Sequence, residues 1–494
     1  MGTPMMIRTR QSLWDILWLG GAVASAFWLT LPSRAQTPRS AQTGWTLEAF
    51  LEKVGESNAL VKAARLEKEA AALKRRSGDL MELAPFLQGE LSYVDDRRET
   101  VLPAQQGNRT QVGLYSVGFA KKFVTGTQVS AKWGQTRSAL EGLAFPMPSS
   151  WESSFLASVS QPLWKDGFGR GVRLRHSRED AQEKVARLSA EMAERRALIA
   201  AEEVFWDFAV HSLDRQEKQD SLARAQRIRD WTSRRIGNGI GDRADLLQIE
   251  SLVASRRLAQ IGTEDNLEAS RRAFLDALGL PSDETVSISA ATLAEPRALP
   301  ADKEARRLDI WLQQYASEIN KNVALETEDR LRPDLSLVGA VGLNGRDAAI
   351  GASTSETLGA NHPMFQVGLK LSMNLDFSLS ENARAAARAE AEAARLRMEK
   401  GNRDAASSWS ELARRHAELT ARVRAMEALV KTQESRLARE QERLSLGRTV
   451  TAQVVTFEQE VADTRFGLLQ LRAQQRKLEA ATRLYMTQEA VEAL

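Results

Sequence analysis

At 494 residues the chain is long enough for several domains, yet 68 Lys and Arg against 65 Asp and Glu leave a formal charge of only +3. That near balance is weak evidence for a nucleic-acid partner, whose footprint would be a one-signed patch. The absence of cysteine excludes disulfides, thiolate metal sites and a cysteine-linked lipid anchor, so stability must come from packing or from assembly.

Residues 1–35 read as a secretory signal. Arg8 and Arg10 precede an apolar run from Ile16 to Leu31, and Ser33-Arg34-Ala35 supplies a small-x-small cleavage site. The rival is an uncleaved anchor, against which stand the shortness of the run and the pair Gly20-Gly21. No later stretch is apolar enough for a transmembrane helix. A mature chain that spans a membrane must therefore do so with closed β-structure.

The pattern from Trp45 to about Leu83 predicts a lead helix, capped at Thr46 with Glu48 behind it and ended by Pro85. Period-2 segments follow at Gln88–Val94, Val112–Phe123, Gln128–Gly134 and Ser154–Ser160, with a turn at Thr125-Gly126. Two long charged helices come next, from about Val172 to Ile236 and from Asp245 to Leu278, stopped by Gly279 and Pro281. The plan then recurs: a linker and lead helix, strand residues at Leu335–Leu343 and Phe365–Phe377, and two more long helices. In the Phe365–Phe377 segment seven apolar residues interleave with Gln366, Gly368, Lys370, Ser372, Asn374 and Asp376. Two-faced ribbons of this length suit lipid on one side and water on the other, since about 9–11 residues cross a bilayer. A soluble sandwich strand is the competing reading of that segment alone. The stretches Thr100–Asn108, Gly142–Ser150 and Asn344–Pro363 have loop composition.

Sevenfold spacing of Leu412, Leu419 and Met426, and of Val423, Val430, Leu437 and Leu444, marks coiled-coil seams. A helix of about 60 residues reaches on the order of 90 Å, which a compact domain does not need. The turns between the long helices also repeat. The offset that carries Gly239 onto Gly447 carries Leu246 onto Val454, Leu247 onto Val455, Ile249 onto Phe457 and Glu250 onto Glu458. Turn glycine and apolar phase recur together, which predicts a tandem structural repeat.

No catalytic constellation emerges. His176, His211, His362 and His416 are scattered without metal-ligand spacing and read as solvated side chains. Gly167-Phe168-Gly169 lacks the frame of a phosphate loop and reads as a flexible strand-to-helix bend. The chemically suggestive residues lie at the hairpin tips: Gly239, Gly241, Asp242, Arg243 and Asp245 at the first, Gly447, Arg448, Thr449 and Gln453 at the second. Several copies converging there would stack them into charged rings that gate or select permeants; ordinary solvated turns are the alternative.

Taken together, R-R-I-G-N-G-I-G-D-R-A-D-L-L-Q, R-L-S-L-G-R-T-V-T-A-Q-V-V, L-R-P-D-L-S-L at Leu331–Leu337 and S-Q-P-L-W at Ser160–Trp164 resemble the TolC family of outer-membrane efflux and secretion channels. The resemblance covers nearly all of the chain after the signal. It implies a mainly α protein with membrane β-structure, a homotrimer whose strands share one outer-membrane β-barrel and whose coiled-coil hairpins form a periplasmic α-barrel. In those terms 1–35 is the signal, 36–84 an N-terminal periplasmic segment with the lead helix, 85–164 the first barrel strands and 165–280 the first periplasmic hairpin. The stretch 281–332 is the linker and second lead helix, 333–378 the second set of strands, and 379–494 the second hairpin.

Members of the family act as passive ducts with a periplasmic adaptor, a membrane fusion protein, and an inner-membrane RND or ABC transporter behind it. No cofactor, metal, catalysis or nucleic-acid partner is implied. The tips would dock the adaptor, with Asp245 near the closed aperture. Gln453 and Thr456 stand where some relatives carry aspartates, which puts an acidic ring from the second tip in doubt. The family gives two strands per repeat, whereas the first repeat here shows four. The hairpin from Val112 to Gly134 either widens the barrel, the reading we favour, or lies outside it. A periplasmic coiled-coil adaptor without its own pore would also explain the helices, though not the strands.

Overall fold

The computed structural model describes residues 44–99, 101, 107–142, 148–239, 242–288, 299 and 306–493. The signal expected at 1–35, the start of the 36–84 segment, and Gly241 lie outside the described residues.

Thr46 accepts the Ala49 amide at 3.3 Å and opens α1 (Leu47–Ser57). The lead helix is two helices rather than one. Asn58 turns extended, and its Oδ1 accepts from the Leu60 amide at 2.9 Å to cap α2 (Ala59–Leu83). A side chain able to cap gives the backbone an exit that apolar spacing does not reveal.

Strands β1 (Phe86–Asp96), β2 (Arg109–Lys122), β3 (Gln128–Glu141) and β4 (Ser150–Pro162) are followed by helices α3 (Arg170–Gly237) and α4 (Arg243–Leu278). The short β5 (Arg306–Arg307) pairs with β8 (Tyr485–Met486). Helix α5 (Leu308–Arg330), β6 (Asp334–Asp347), α6 (Ile350–Leu358), β7 (Pro363–Ser372), α7 (Phe377–Ser445), α8 (Thr451–Ala481) and α9 (Gln488–Glu492) complete the order.

Six strands form one antiparallel sheet in the order β1-β2-β3-β4-β6-β7. Register places Val117 beside Trp133, Trp133 beside Phe155, and Phe155 beside Leu343. Because side chains alternate, one face carries Leu91, Tyr115, Trp133, Phe155, Val341 and Phe365. The other carries Glu90, Ser116, Lys132, Ser154, Ser336 and Gln366. Contacts across strands keep to this division: Ser130 and Ser158 hydroxyls meet at 2.7 Å, and Lys132 reaches Glu90 at 3.6 Å.

Two expectations are corrected locally. The ribbon from Phe365 does not run to Phe377: β7 ends at Ser372, and Asp376 accepts the Leu379 amide at 3.0 Å to start α7. Within the loop expected from Asn344 to Pro363 lies α6, which packs on the apolar face of β4 and β6. Thr357 Oγ1 donates to the Ser153 carbonyl at 3.0 Å, and a Cβ on Gly345 would stand 2.5 Å from the Ser353 carbonyl.

The long helices lie in a row. α3 and α7 hold 68 and 69 residues, about 100 Å each at 1.5 Å per residue, and run the whole length. Nearer the sheet α2 flanks α3 through Lys68–Glu191 and Arg75–Asp180, while α5 sits between α3 and α7 through Arg178–Glu326 and Arg388–Glu328. Toward the tips α4 takes the place of α2, with Thr263 donating to Asp214 at 3.2 Å. There α8 takes the place of α5: Arg465 holds Glu217 of α3 at 2.8 Å and Glu434 of α7 at 2.6 Å. At each level the row is four helices wide. An aromatic core of Phe50, Phe205, Trp206, Phe208 and Phe274 ties α1, α3 and α4 together, with Phe50 stacked on Phe274 at 4.6 Å.

Candidate functional site

The two tips are built alike. At the first, α3 ends as the Asn238 amide donates to the Arg234 carbonyl and Gly239 takes φ +73°. At the second, α7 ends with Gly447 at φ +70°, its amide on Leu444 and the Arg448 amide on Arg443 at 2.8 Å. Left-handed backbone after a helix suits glycine, which has no Cβ to clash. Neither glycine has anything within 4 Å of where a Cβ would stand, so the backbone angle rather than crowding requires it.

Asp242 caps α4, its Oδ1 accepting from the Ala244 amide at 2.9 Å; Arg243 opens that helix exposed, and Asp245 sits half-buried in its first turn, where a carboxylate suits the helix dipole. Arg448 and Gln453 are exposed, with the Gln453 amide turned back to the Val450 carbonyl. Thr449 is less free than a solvated turn residue. Its hydroxyl donates to Glu440, which is buried on α7 and also holds Arg443 at 3.1 Å.

Apolar clusters sharing Ile228 of α3 run beneath the two tips: Leu444, Val454 and Phe457 on one side, Ile249, Leu252 and Val455 on the other. The predicted sites Gly239, Asp242, Arg243 and Asp245 thus sit beside Gly447, Arg448, Thr449 and Gln453 at one end of the row. Sequence reasoning missed Glu440 and the pair of buried Glu458 and half-buried Arg224, 3.1 Å apart, which bolts α8 to α3 just behind the tips. Glu458 had been visible only as a repeat position.

Matched positions are not equivalent in burial. Val455 is 8% exposed inside the row, whereas Leu247 is 62% exposed on its edge. The same is true higher up, where Leu66 and Leu73 of α2 lie open at sevenfold spacing on one edge and Leu396 of α7 on the other. Each sheet edge matches the helix edge it joins. β1 follows α2 and exposes Leu87, Leu91 and Tyr93; β7 precedes α7 and exposes Phe365 at 75% and Val367 at 83%.

Elsewhere, His416 is not merely solvated, for its ring faces Glu479 at 3.2 Å. Among the described residues no group of His, Asp and Glu is placed to hold a metal, and no helix is long and apolar enough to cross a membrane. In the bend at Gly167–Gly169, Gly169 is closely packed, for a Cβ there would clash with the Val124 carbonyl, while Gly167 faces open space.

No family model matches the chain, and no curated protein does. Solved structures do. VceC, an outer membrane protein of Vibrio cholerae, aligns over 89% of this chain and 95% of its own at a TM-score of 0.63 and 14% identity. The CmeC outer membrane channel of Campylobacter jejuni aligns over 91% of this chain and 89% of its own, at 0.64 and 11%. The chain has the fold of these outer membrane proteins. A third, the open state of the MtrE outer membrane channel of Neisseria gonorrhoeae, covers 91% of this chain and 93% of its own at 0.64 and 13% identity. The TolC-family resemblance read from the sequence is thus met at the level of the fold.

Proposed function

We propose that the protein is a homotrimeric outer-membrane channel, a passive duct from periplasm to exterior that docks a periplasmic adaptor served by an inner-membrane RND or ABC transporter. The observation that carries this is the pair of unsatisfied edges. Among the described residues, one edge of the copy, β1 with α2 and α4, and the opposite edge, β7 with α7, both present apolar side chains and, in the sheet, unpaired backbone. Edges of that kind need a partner, and joining one edge to the opposite edge of the next copy is the head-to-tail contact that closes a ring.

Closure makes the sheets of 85–164 and 333–378 one barrel, with its apolar face to lipid and its serine-rich face to water, as only a closed β-structure satisfies in a bilayer. It makes the hairpins of 165–280 and 379–494 one periplasmic tube built on a tandem repeat. Three is the number the family resemblance implies. Gly239, Gly241, Asp242, Arg243 and Asp245, with Gly447, Arg448, Thr449 and Gln453, then form the aperture and the adaptor-docking rim.

The test is direct. The protein purified from outer membranes should have the mass of a trimer in detergent and conduct ions in planar bilayers. A monomer, or a trimer that never conducts, overturns the proposal. The adaptor reading leaves the apolar sheet face without a role; it would gain only if a carbonate wash released the protein from outer membranes.

A further inference from the structure

We propose that the outer-membrane section of this channel is an eighteen-stranded barrel, wide enough to pass polypeptide that keeps its secondary structure, so that size selection falls to the helical tips. This rests on the trimeric reading above.

The observation is the β2–β3 hairpin. The family resemblance implies two strands from each half, and the first half here supplies four. Nothing about the extra pair is peripheral. Every residue of β1 from Phe86 to Asp96 has a partner on β2, every residue of β2 has one on β3, and β3 pairs with β4 from Gln128 to Ser138. The hairpin keeps the common alternation, with Val117, Phe119 and Trp133 on the apolar face and Ser116, Gly118 and Ser130 on the polar one. A hairpin outside the wall would leave β1 and β4 each with a bare inner edge.

Its turn is also bolted to the junction with the helices. Gly126 takes φ +77°, and a Cβ there would stand 2.9 Å from Pro162 Cγ and 3.1 Å from the Asp166 carbonyl. Lys122 holds Asp166 at 3.1 Å, and Gln161 Nε2 donates to the Thr125 carbonyl at 3.2 Å.

Three copies of a six-stranded sheet give eighteen strands. At about 4.8 Å between strands and a tilt near 40°, they wrap a circumference of about 110 Å and a backbone diameter of about 36 Å, against about 24 Å for twelve strands. The helices agree with the larger figure: three rows of four, spaced about 9–10 Å apart, ring about 110–120 Å. The tube therefore passes into the barrel without narrowing.

Side chains take roughly 5 Å from each wall, leaving a lumen of about 25 Å, and a helix with its side chains is about 10–12 Å across, so a helical hairpin fits. Twelve strands would admit a single helix at most. Helix α6 lies on the apolar, outward face and takes no space from the lumen.

Polyethylene glycols of graded size, added only to the compartment facing the strand end of single channels in planar bilayers, read the width of that mouth. The full-length protein is expected to admit polymers of about twice the cut-off radius of a variant lacking 109–141. Equal cut-offs overturn the strand count alone, whereas a monomeric or non-conducting protein overturns the channel reading and this one with it. Should the shortened variant fail to fold, the cysteine-free chain allows a second measurement. A fluorophore on Val117→Cys is expected to be quenched by brominated lipid as strongly as one on Val367→Cys. Quenching at 367 but not at 117 places the hairpin outside the wall and overturns the proposal.

Discussion

Gly447 holds its turn through a backbone angle that a β-branched residue resists, at a cost of about 1–2 kcal/mol for left-handed backbone. Nothing crowds its Cβ direction, so Gly447→Val should reshape the tip without disturbing the core below it. On the proposed function we expect the variant to keep the oligomeric state of the parent in detergent while crosslinking to a periplasmic adaptor falls several-fold; undiminished crosslinking would show that the tip does not dock. Asp245, half-buried beside the first turn, is expected to set ion preference. Asp245→Lys should shift the reversal potential in a salt gradient toward anions, and an unchanged potential places Asp245 away from the aperture. The glycines were legible because helix followed by glycine followed by helix has one physical meaning. Glu440 was not, since its bond to Thr449 exists only after α7 has turned back on itself, and nothing in a charged helix distinguishes that glutamate from its neighbours.

Among elements, the tie between α8 and α3 deserves a quantitative test. Glu458 is nearly fully buried against Arg224 and also accepts from Gln441 at 3.2 Å. Removing one partner of a fully buried pair costs about 3–5 kcal/mol, and less where one partner reaches water as Arg224 does, whereas replacing both with apolar groups is often neutral. Glu458→Ala should lower the melting temperature clearly, and Arg224→Met with Glu458→Leu should restore much of it; an unaffected single variant would mean the pair is solvated.

On the helix surfaces the pairs behave differently. Arg271 and then Arg272 hold the Glu268 carboxyl at about 2, and Arg414 and then Arg415 hold Glu411 at about 2. A carboxyl lowered in the folded state adds stability above its unfolded value of about 4.3, which is lost as pH falls toward 2. Helical circular dichroism should therefore stay flat from pH 7 to about 4.5 and decline only below. A decline beginning at pH 6 would show that these surface carboxylates do not set the acid limit. The long helices and the six strands of the large sheet could be read in advance because periods of 3.5 and 2 persist for many residues. The break at Asn58 and helix α6 could not. The first turns on one capping side chain, and the second is made largely of small and polar residues that show no helical period, held where β4 and β6 meet.

At the scale of the whole molecule, the proposed ring rests on the two opposite edges. Val367→Arg on the outward face of β7 would place a charge where lipid is expected, at a cost of up to about 2–4 kcal/mol near the bilayer midplane. Its yield in outer-membrane fractions should drop while Gln366→Asp, one residue away on the polar face, leaves it unchanged; equal yields would show that β7 does not face lipid. Both edges were visible in the sequence as amphipathic ribbons, but not their neighbours, because which strand ends a sheet is a property of topology.

Those edges also bear on the life of a newly made chain. If the proposed trimer is right, a copy that has not yet met two others travels through water with a long greasy seam down either side and open backbone at both ends of its sheet, the very conditions under which polypeptides stick to whatever they meet first. Its safe passage has to be arranged by escorts that mask the seams, or by assembly that outruns collision. Cells short of periplasmic chaperones should lose this protein to clumps and proteolysis well before they lose secreted proteins whose sheets are capped.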